Sequence, residues 1–370
     1  MSKKFFIVTV ILTLIALLFT ACSAGAPDTY LRDITGHENH YVQFFPSKTA
    51  SCNEEGSLGY YYCHHCNQYL SHLAPFEKIT KSQAVIEKIP HDFQDNICKR
   101  CGFDCTLGLS FLPTTDESGY VVSGDKNLLS SSLVIPQSYQ GKPVVEIAEK
   151  GFANCTSLED ILVPDSVKKI GKSAFEGCKP KSITLPFVGE SEEENRFLGY
   201  IFGAEFLHSA DTKIPTSLRI INLGDKCKVI PRASFRGCAN LLSLNLNKVE
   251  KIEIGAFSGC VSLEEIVVSS IENWFAINHA SPIPSPFSLF VEGEQIKNIK
   301  VEDGAEVKAF AFANCISVEN LVLSKNIQIF DASALENSGI ISITFEGSQS
   351  EFATKTDLSK IEIPLFFGEE

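Results

Sequence analysis

One stretch of seventeen residues, IAEKGFANCTSLEDILV at 147–163, returns along the chain. It comes back as IGKSAFEGC at 170–178, IPRASFRGCANLLSLNL at 230–246, IEIGAFSGCVSLEEIVV at 252–268 and VKAFAFANCISVENLVL at 307–323. Each copy sets an aliphatic residue, then Phe five positions on (Phe152, Phe175, Phe235, Phe257, Phe312), then Cys three further (Cys155, Cys178, Cys238, Cys260, Cys315). A short strand with alternating Leu, Ile or Val follows. Cys155 to Cys178 is 23 residues and Cys238 to Cys260 is 22. A repeat of this length is one supersecondary unit that cannot bury its apolar face alone and must stack on copies of itself.

The pattern therefore predicts a mainly β solenoid over 106–370, a right-handed coil whose strands stack into one parallel sheet about 4.8 Å apart. Strands are expected at 158–163, 183–185, 218–223, 241–246, 263–268, 296–301, 318–323, 340–345 and 361–363. Inward residues of each form ladders, and the repeat Cys reads as a small core residue rather than a ligand. Cys227 is off that ladder. Residues 106–141 have β-type alternation without the repeat Cys and read as a cap for the first rung. Two stretches interrupt the period, about 187–217 and 270–295, and are expected as loop insertions on one face. His208 and His279 fall inside them and read as solvated loop residues.

Alternation sends the residues between the inward positions outward. Glu159, Asp160, Arg219, Asn245, Glu264, Glu265, Lys297 and Lys300 form the candidate binding surface on this basis. The repeat form, with Ala before the Phe and Leu-x-x-Leu-x-Leu after the Cys, closely resembles the BspA-like leucine-rich repeats of bacterial and protist surface proteins. That resemblance covers 106–370 and extends to the two insertions. It implies a leucine-rich-repeat surface protein that binds other proteins or mediates adhesion.

Upstream, residues 37–105 hold six of the thirteen cysteines and six of the eight histidines. Cys63/Cys66 and Cys98/Cys101 are C-x-x-C pairs, each able to present two thiolates to one tetrahedral ion. A segment this short buries little apolar surface and needs a staple. Two stapling chemistries stay open, structural zinc and disulfides, the second because export would expose the thiols to oxidation. The stretch resembles short zinc-ribbon-like Cys/His repeats of secreted proteins from anaerobic bacteria. On that resemblance one zinc site would use Cys52, Cys63 and Cys66 with His40 or His91. A second would use Cys98 and Cys101 with His91 and Cys105. His37, His64, His65 and His72 are spare candidates.

At the N-terminus, Lys3 and Lys4 precede an uncharged apolar run from Phe5 to Phe19, then Thr20-Ala21-Cys22. A basic start, a short apolar core and small residues before the cut form a secretory signal. The end of the run resembles the lipobox of bacterial lipoproteins, with Phe19 where Leu is usual, which implies lipid attachment at Cys22. An uncleaved membrane anchor and an ordinary cleaved signal are the alternatives. Residues 1–22 are thus read as signal peptide and 23–36 as a tether, with the remainder at the cell surface.

The net charge of −13 disfavours nucleic acid as a partner, since phosphates would repel the chain. No G-x-S-x-G, P-loop, dinucleotide fingerprint or H-E-x-x-H occurs, so the expectation is a protein that is not an enzyme. Two roles fit: binding a protein of a host or neighbouring cell, or scaffolding other proteins of the cell's own envelope.

Overall fold

The computed structural model describes residues 42–368 apart from 53, 73–76, 87 and 90. The signal, Cys22, the tether, His37 and His40 lie outside the described residues. Among the described residues no helix is long and apolar enough to cross a membrane. The described residues form two compact units, one of those up to 94 with 98–103, the other of 95–97 with those from 104 onward.

The smaller unit is built on an antiparallel sheet in the order Val42–Phe45, Tyr60–Cys63, Gln68–Ser71, Lys78–Ile79. Its apolar cluster is slight: Val42, Cys63 and Leu70 are buried, with Tyr61 and Cys66 packed against them.

The larger unit is a stack of rungs. Strands Ser132–Val134, Asp160–Leu162, Ser182–Leu185, Ile220–Leu223, Ser243–Leu246, Glu265–Val268 and Ser288–Val291 pair in parallel and in register. Leu133, Ile161, Ile183, Ile221, Leu244, Ile266 and Leu289 share one inward row, and every one of them is buried. All five repeat Phe and all five repeat Cys are buried too. Phe152 stacks on Phe175 at 5.5 Å and Phe235 on Phe257 at 5.6 Å between ring centroids. The repeat Cys has a hydrogen-bonding use as well: Cys178 Sγ donates to the Phe152 carbonyl at 3.0 Å and Cys260 Sγ to the Phe235 carbonyl at 3.5 Å. A small thiol thus fills the corner and satisfies a carbonyl of the rung before it.

The residue before each ladder Cys, or before Ser338 in its place, is Asn154, Gly177, Gly237, Gly259, Asn314 or Asn337, and all have positive φ. The corner turns through the left-handed region, which Gly enters freely and Asn tolerates best among the others. The recurring Asn/Gly-Cys pair is a backbone requirement.

Four expectations need correction. The sheet is not single: a second parallel sheet holds Asn298–Val301, Asn320–Leu323, Ser342–Phe345 and Leu365–Phe367. The break comes where Ser288–Val291 turns back on Glu294–Gln295 in an antiparallel hairpin. Glu292 and Gly293, both at positive φ, make its two-residue turn. Secondly, the interruptions are bonded into the coil: the first adds no strand between Ser182–Leu185 and Ile220–Leu223, while the second adds one. Phe175 N bonds Ile201 O and Leu198 N bonds Ser234 O, so the first interruption is bonded to the rungs on either side. The second supplies Ile271–Ala276, a helix whose Trp274 is buried and donates Nε1–H to the Ala311 carbonyl at 2.8 Å, and the strand Ser288–Val291. Thirdly, His279 is 4% exposed and pairs beside Ile252, at the position that Ile230 and Ile252 hold in neighbouring rungs; His208 is exposed. Lastly, the final strand is Leu365–Phe367 rather than 361–363.

At one end of the coil an antiparallel hairpin, Leu109–Pro113 with Tyr120–Gly124, lies on the first ladder ring. A Cβ on Gly124 would come within 2.6 Å of Phe152, so only glycine permits that approach. At the other end Phe352 is buried against Phe345 at 4.8 Å and Phe330 at 5.7 Å.

Candidate functional site

The outward rows of the long sheet repeat with the rungs. One row runs Asp160, Ser182, Ile220, Ser243, Glu265, Ser288; the next runs Leu162, Thr184, Asn222, Asn245, Val267, Phe290. Side chains bridge from rung to rung: Ser182 Oγ donates to Asp160 at 2.7 Å and Asn222 Nδ2 to Thr184 at 3.4 Å. On the short sheet Ser342 donates to Asn320 at 2.6 Å and Asn320 to Asn298 at 2.7 Å. Such ladders hold the face rigid before any partner arrives, which reduces the ordering cost of binding.

Of the predicted surface residues, Glu159, Glu264, Lys297 and Lys300 are exposed, while Asp160, Arg219, Asn245 and Glu265 are half-buried. Glu159 pairs with Lys181 at 2.9 Å. Arg219 is pinned by its own backbone, Nη1 donating to the Thr216 and Leu218 carbonyls at 2.6 and 3.1 Å. Lys300 sits 3.3 Å from Glu346 and 3.9 Å from Glu302, and that hydrogen bond to Glu346, then the two carboxylate charges, raise its pKa. Asn245 Oδ1 is buried without a hydrogen-bond partner. Lys297 and Lys300 belong to the short sheet; the other six belong to the long one. Leu162, Ile220 and Val267, absent from the residues expected to form the surface, share the same rows and offer the apolar contact area an interface needs. Their alternation with buried neighbours was the available signal.

A cleft of about 490 Å³ opens beside the first interruption, lined by Glu149, Lys172, Glu176, Glu205 and Lys213 among others. Two ion pairs cross it: Lys213 meets Glu176 at 2.9 Å and Lys172 meets Glu205 at 3.2 Å.

In the small unit the ligand-type side chains sort differently from the expected pairing. Cys52, His91, Cys98 and Cys101 bring one ligand atom each within 4.8 Å of one another. Cys52 joins the second C-x-x-C pair, not Cys63 and Cys66. Local structure presents each member. Ser51 N bonds Glu54 O and Glu54 N bonds Ser51 Oγ, a tight loop that offers Cys52. Gly56 closes its base, where a Cβ would meet Ala50 N and Lys48 O at 2.5 Å. Cys98–Phe103 is a knuckle, with Cys98 N on Phe103 O, Gly102 N on Cys98 O at 2.8 Å each, and Gly102 at φ +71°. The His91 ring lies 5.2 Å from both Phe93 and Phe103. Burial pushes the Cys98 thiol up, but the His91 ring and the backbone N–H groups of Cys101, Arg100 and Asp92 outweigh it and bring the pKa down to about 6. Burial, then the Cys98 thiol, raises Cys52.

Cys63 and Cys66 form a separate turn in which Cys66 N–H faces Cys63 Sγ at 3.5 Å. Cys105 is outside the group of four, its thiol pushed to about 11 by burial and then by Asp104. His64, His65 and His72 are exposed and also outside it. Sequence reasoning passed over a half-exposed aromatic strip on the small sheet. Phe45 stacks on Tyr60 at 5.0 Å, and Tyr69 lies 5.4 Å from Tyr60 and 4.8 Å from Tyr62.

Residues 127–201, 214–278 and 286–366 match, in six copies, the family described as BspA type leucine rich repeat region. No curated protein matches the chain. Solved structures similar to it include a leucine rich repeat protein of T. pallidum, 17% identical over 71% of this chain and 97% of that one, with a TM-score of 0.25. A leucine-rich repeat protein from Bacteroides ovatus is 17% identical over 71% and 78%, TM-score 0.26. A leucine rich cell surface protein from Faecalibacterium prausnitzii is 16% identical over 67% and 96%, TM-score 0.22.

Proposed function

The chain belongs to the BspA-type leucine-rich-repeat family, and from that premise we propose a non-catalytic, surface-displayed protein that binds a protein partner through the outward face of its repeat sheets. Export follows from the N-terminal signal, and a lipid on Cys22 holds the protein at the membrane. The observation that carries the reading is the register of the long sheet. Six parallel strands repeat Asp160–Ser182–Ile220–Ser243–Glu265–Ser288 and Leu162–Thr184–Asn222–Asn245–Val267 on one face, the second row ending at the buried Phe290. The face mixes apolar area, hydrogen-bonding groups and carboxylates on a rigid frame, and solenoid faces of this kind suit extended protein surfaces.

The test is binding of the purified full chain to immobilised host extracellular-matrix proteins and, in parallel, to the cell's own envelope fraction. A specific host ligand should bind about tenfold more weakly, or worse, to the Glu159→Lys/Glu264→Lys/Glu265→Lys variant, and salt should weaken the wild-type complex. Binding confined to the envelope fraction supports the scaffold role instead. Binding indifferent to both the substitutions and salt would sink the assignment of this face.

A further inference from the structure

We infer that Cys52, His91, Cys98 and Cys101 hold one zinc ion in a closed, structural Cys₃His site that staples the small unit together. The geometry fits the ion. A tetrahedral zinc with Zn–S of about 2.3 Å sets two sulfurs about 3.8 Å apart, and with Zn–N of about 2.0 Å sets sulfur and nitrogen about 3.5 Å apart. Cys52 Sγ and Cys98 Sγ are 4.0 Å apart, and Cys101 Sγ and His91 Nδ1 are 3.4 Å apart. A disulfide needs its sulfurs at about 2.05 Å, half the Cys52–Cys98 separation.

Composition narrows the choice of metal. Three thiolates and an imidazole are soft and borderline donors, which suit zinc and exclude calcium and magnesium, both of which demand oxygen. Four protein donors fill a tetrahedron and leave no position for a substrate or water, so the site is structural rather than catalytic. The supporting contacts are in place: the His91 ring is flanked by Phe93 and Phe103, and Gly102 lets the knuckle turn through positive φ.

The need for a staple is visible in the packing. The apolar cluster of this unit consists of Val42, Cys63 and Leu70 with Tyr61 and Cys66, all on the antiparallel sheet or the turn between two of its strands. The loop carrying Cys52, the stretch carrying His91 and the knuckle of Cys98–Phe103 contribute nothing to that cluster. One ion joining residues 46 positions apart in sequence supplies the cross-link that apolar burial does not.

The experiment uses the full chain, purified without chelator and analysed for metal by mass spectrometry. Zinc should be present, and Cys52→Ser should remove one equivalent that Cys63→Ser leaves in place. Because Cys52→Ser could unfold the unit, cobalt exchange into the wild-type chain gives a second reading. Intense visible bands with sulfur-to-cobalt charge transfer report a tetrahedral thiolate site. In His91→Cys the ion should stay and the bands should move to longer wavelength as three sulfurs become four. A chain free of zinc whose peptide map shows Cys52 or Cys98 in a disulfide would overturn the inference. So would zinc content indifferent to Cys52→Ser, or weak cobalt bands of octahedral type.

Discussion

His279 shows how far one side chain can depart from its local reading. It stands in an interruption of the repeat, yet it occupies the inward position that Ile230 and Ile252 hold in the two rungs before it. Its ring meets Trp274 edge-on at 4.8 Å, and neither ring nitrogen has a hydrogen-bond partner. Burial, then the charge of Lys308, lowers its pKa to about 4 from 6.5. The unfolded chain therefore binds a proton between these values that the folded chain refuses, and stability falls as pH drops through that window. The full effect is about 3 kcal/mol. Urea unfolding at pH 7.5 and pH 5 should show the wild type losing much of this amount, and His279→Ile should be markedly less pH-sensitive. An identical pH slope in the two proteins would contradict a buried neutral imidazole.

At the scale of an element, the corner before each ladder Cys decides whether a rung closes. Gly237 and Gly259 occupy equivalent corners, both at φ 88°. A Cβ on Gly259 would have its nearest neighbour at 3.8 Å, whereas one on Gly237 would meet the Ala210 carbonyl oxygen at 2.8 Å. Gly259→Ala should cost only the left-handed penalty, about 1–2 kcal/mol. Gly237→Ala should cost more, because the first interruption packs its backbone there. Gly259→Asn should cost less than Gly259→Ala, as Asn154 and Asn314 stand at the same corner elsewhere. Denaturant midpoints of the three variants order these costs; equal losses in both alanine variants would show that the contact with Ala210 carries no weight. The corner was legible as a recurring Asn/Gly-Cys pair. The contact with Ala210 was not, because it joins positions 27 residues apart (237 − 210) through an interruption that has no period.

Over the whole repeat unit, stability depends on what covers the two ends of the stack, since each rung contacts only its neighbours. The hairpin of residues 109–124 lies on Phe152, with Phe111 and Tyr120 packed against the core. A chain beginning at 127 should expose that ring and elute from a sizing column as aggregate, while one beginning at 104 should elute as a compact species. Aggregation of both, or of neither, would mean that the hairpin does not protect the end. The break between the long and short sheets also belongs to this scale. The coil passes the Glu292-Gly293 turn through an isolated parallel bridge between Phe287 and Cys315, so the rungs continue where the sheet does not.

The repeat period, the ladder Phe and Cys, the inward rows of the strands and the two C-x-x-C turns were all present in the order of residues alone. Each is a local device: a rung is specified by about twenty residues and needs only a similar neighbour to pack against. Tertiary structure decided what spacing could not. A C-x-x-C turn presents a pair of thiols but is silent on what completes the set, and Cys52 reaches Cys98 only through the intervening sheet. The aperiodic stretches are built into the coil because their apolar residues, Phe202 and Trp274 among them, are buried in the same core as the ladder. His279 is buried for the same reason: its place in the stack, rather than its own polarity, determined its surroundings.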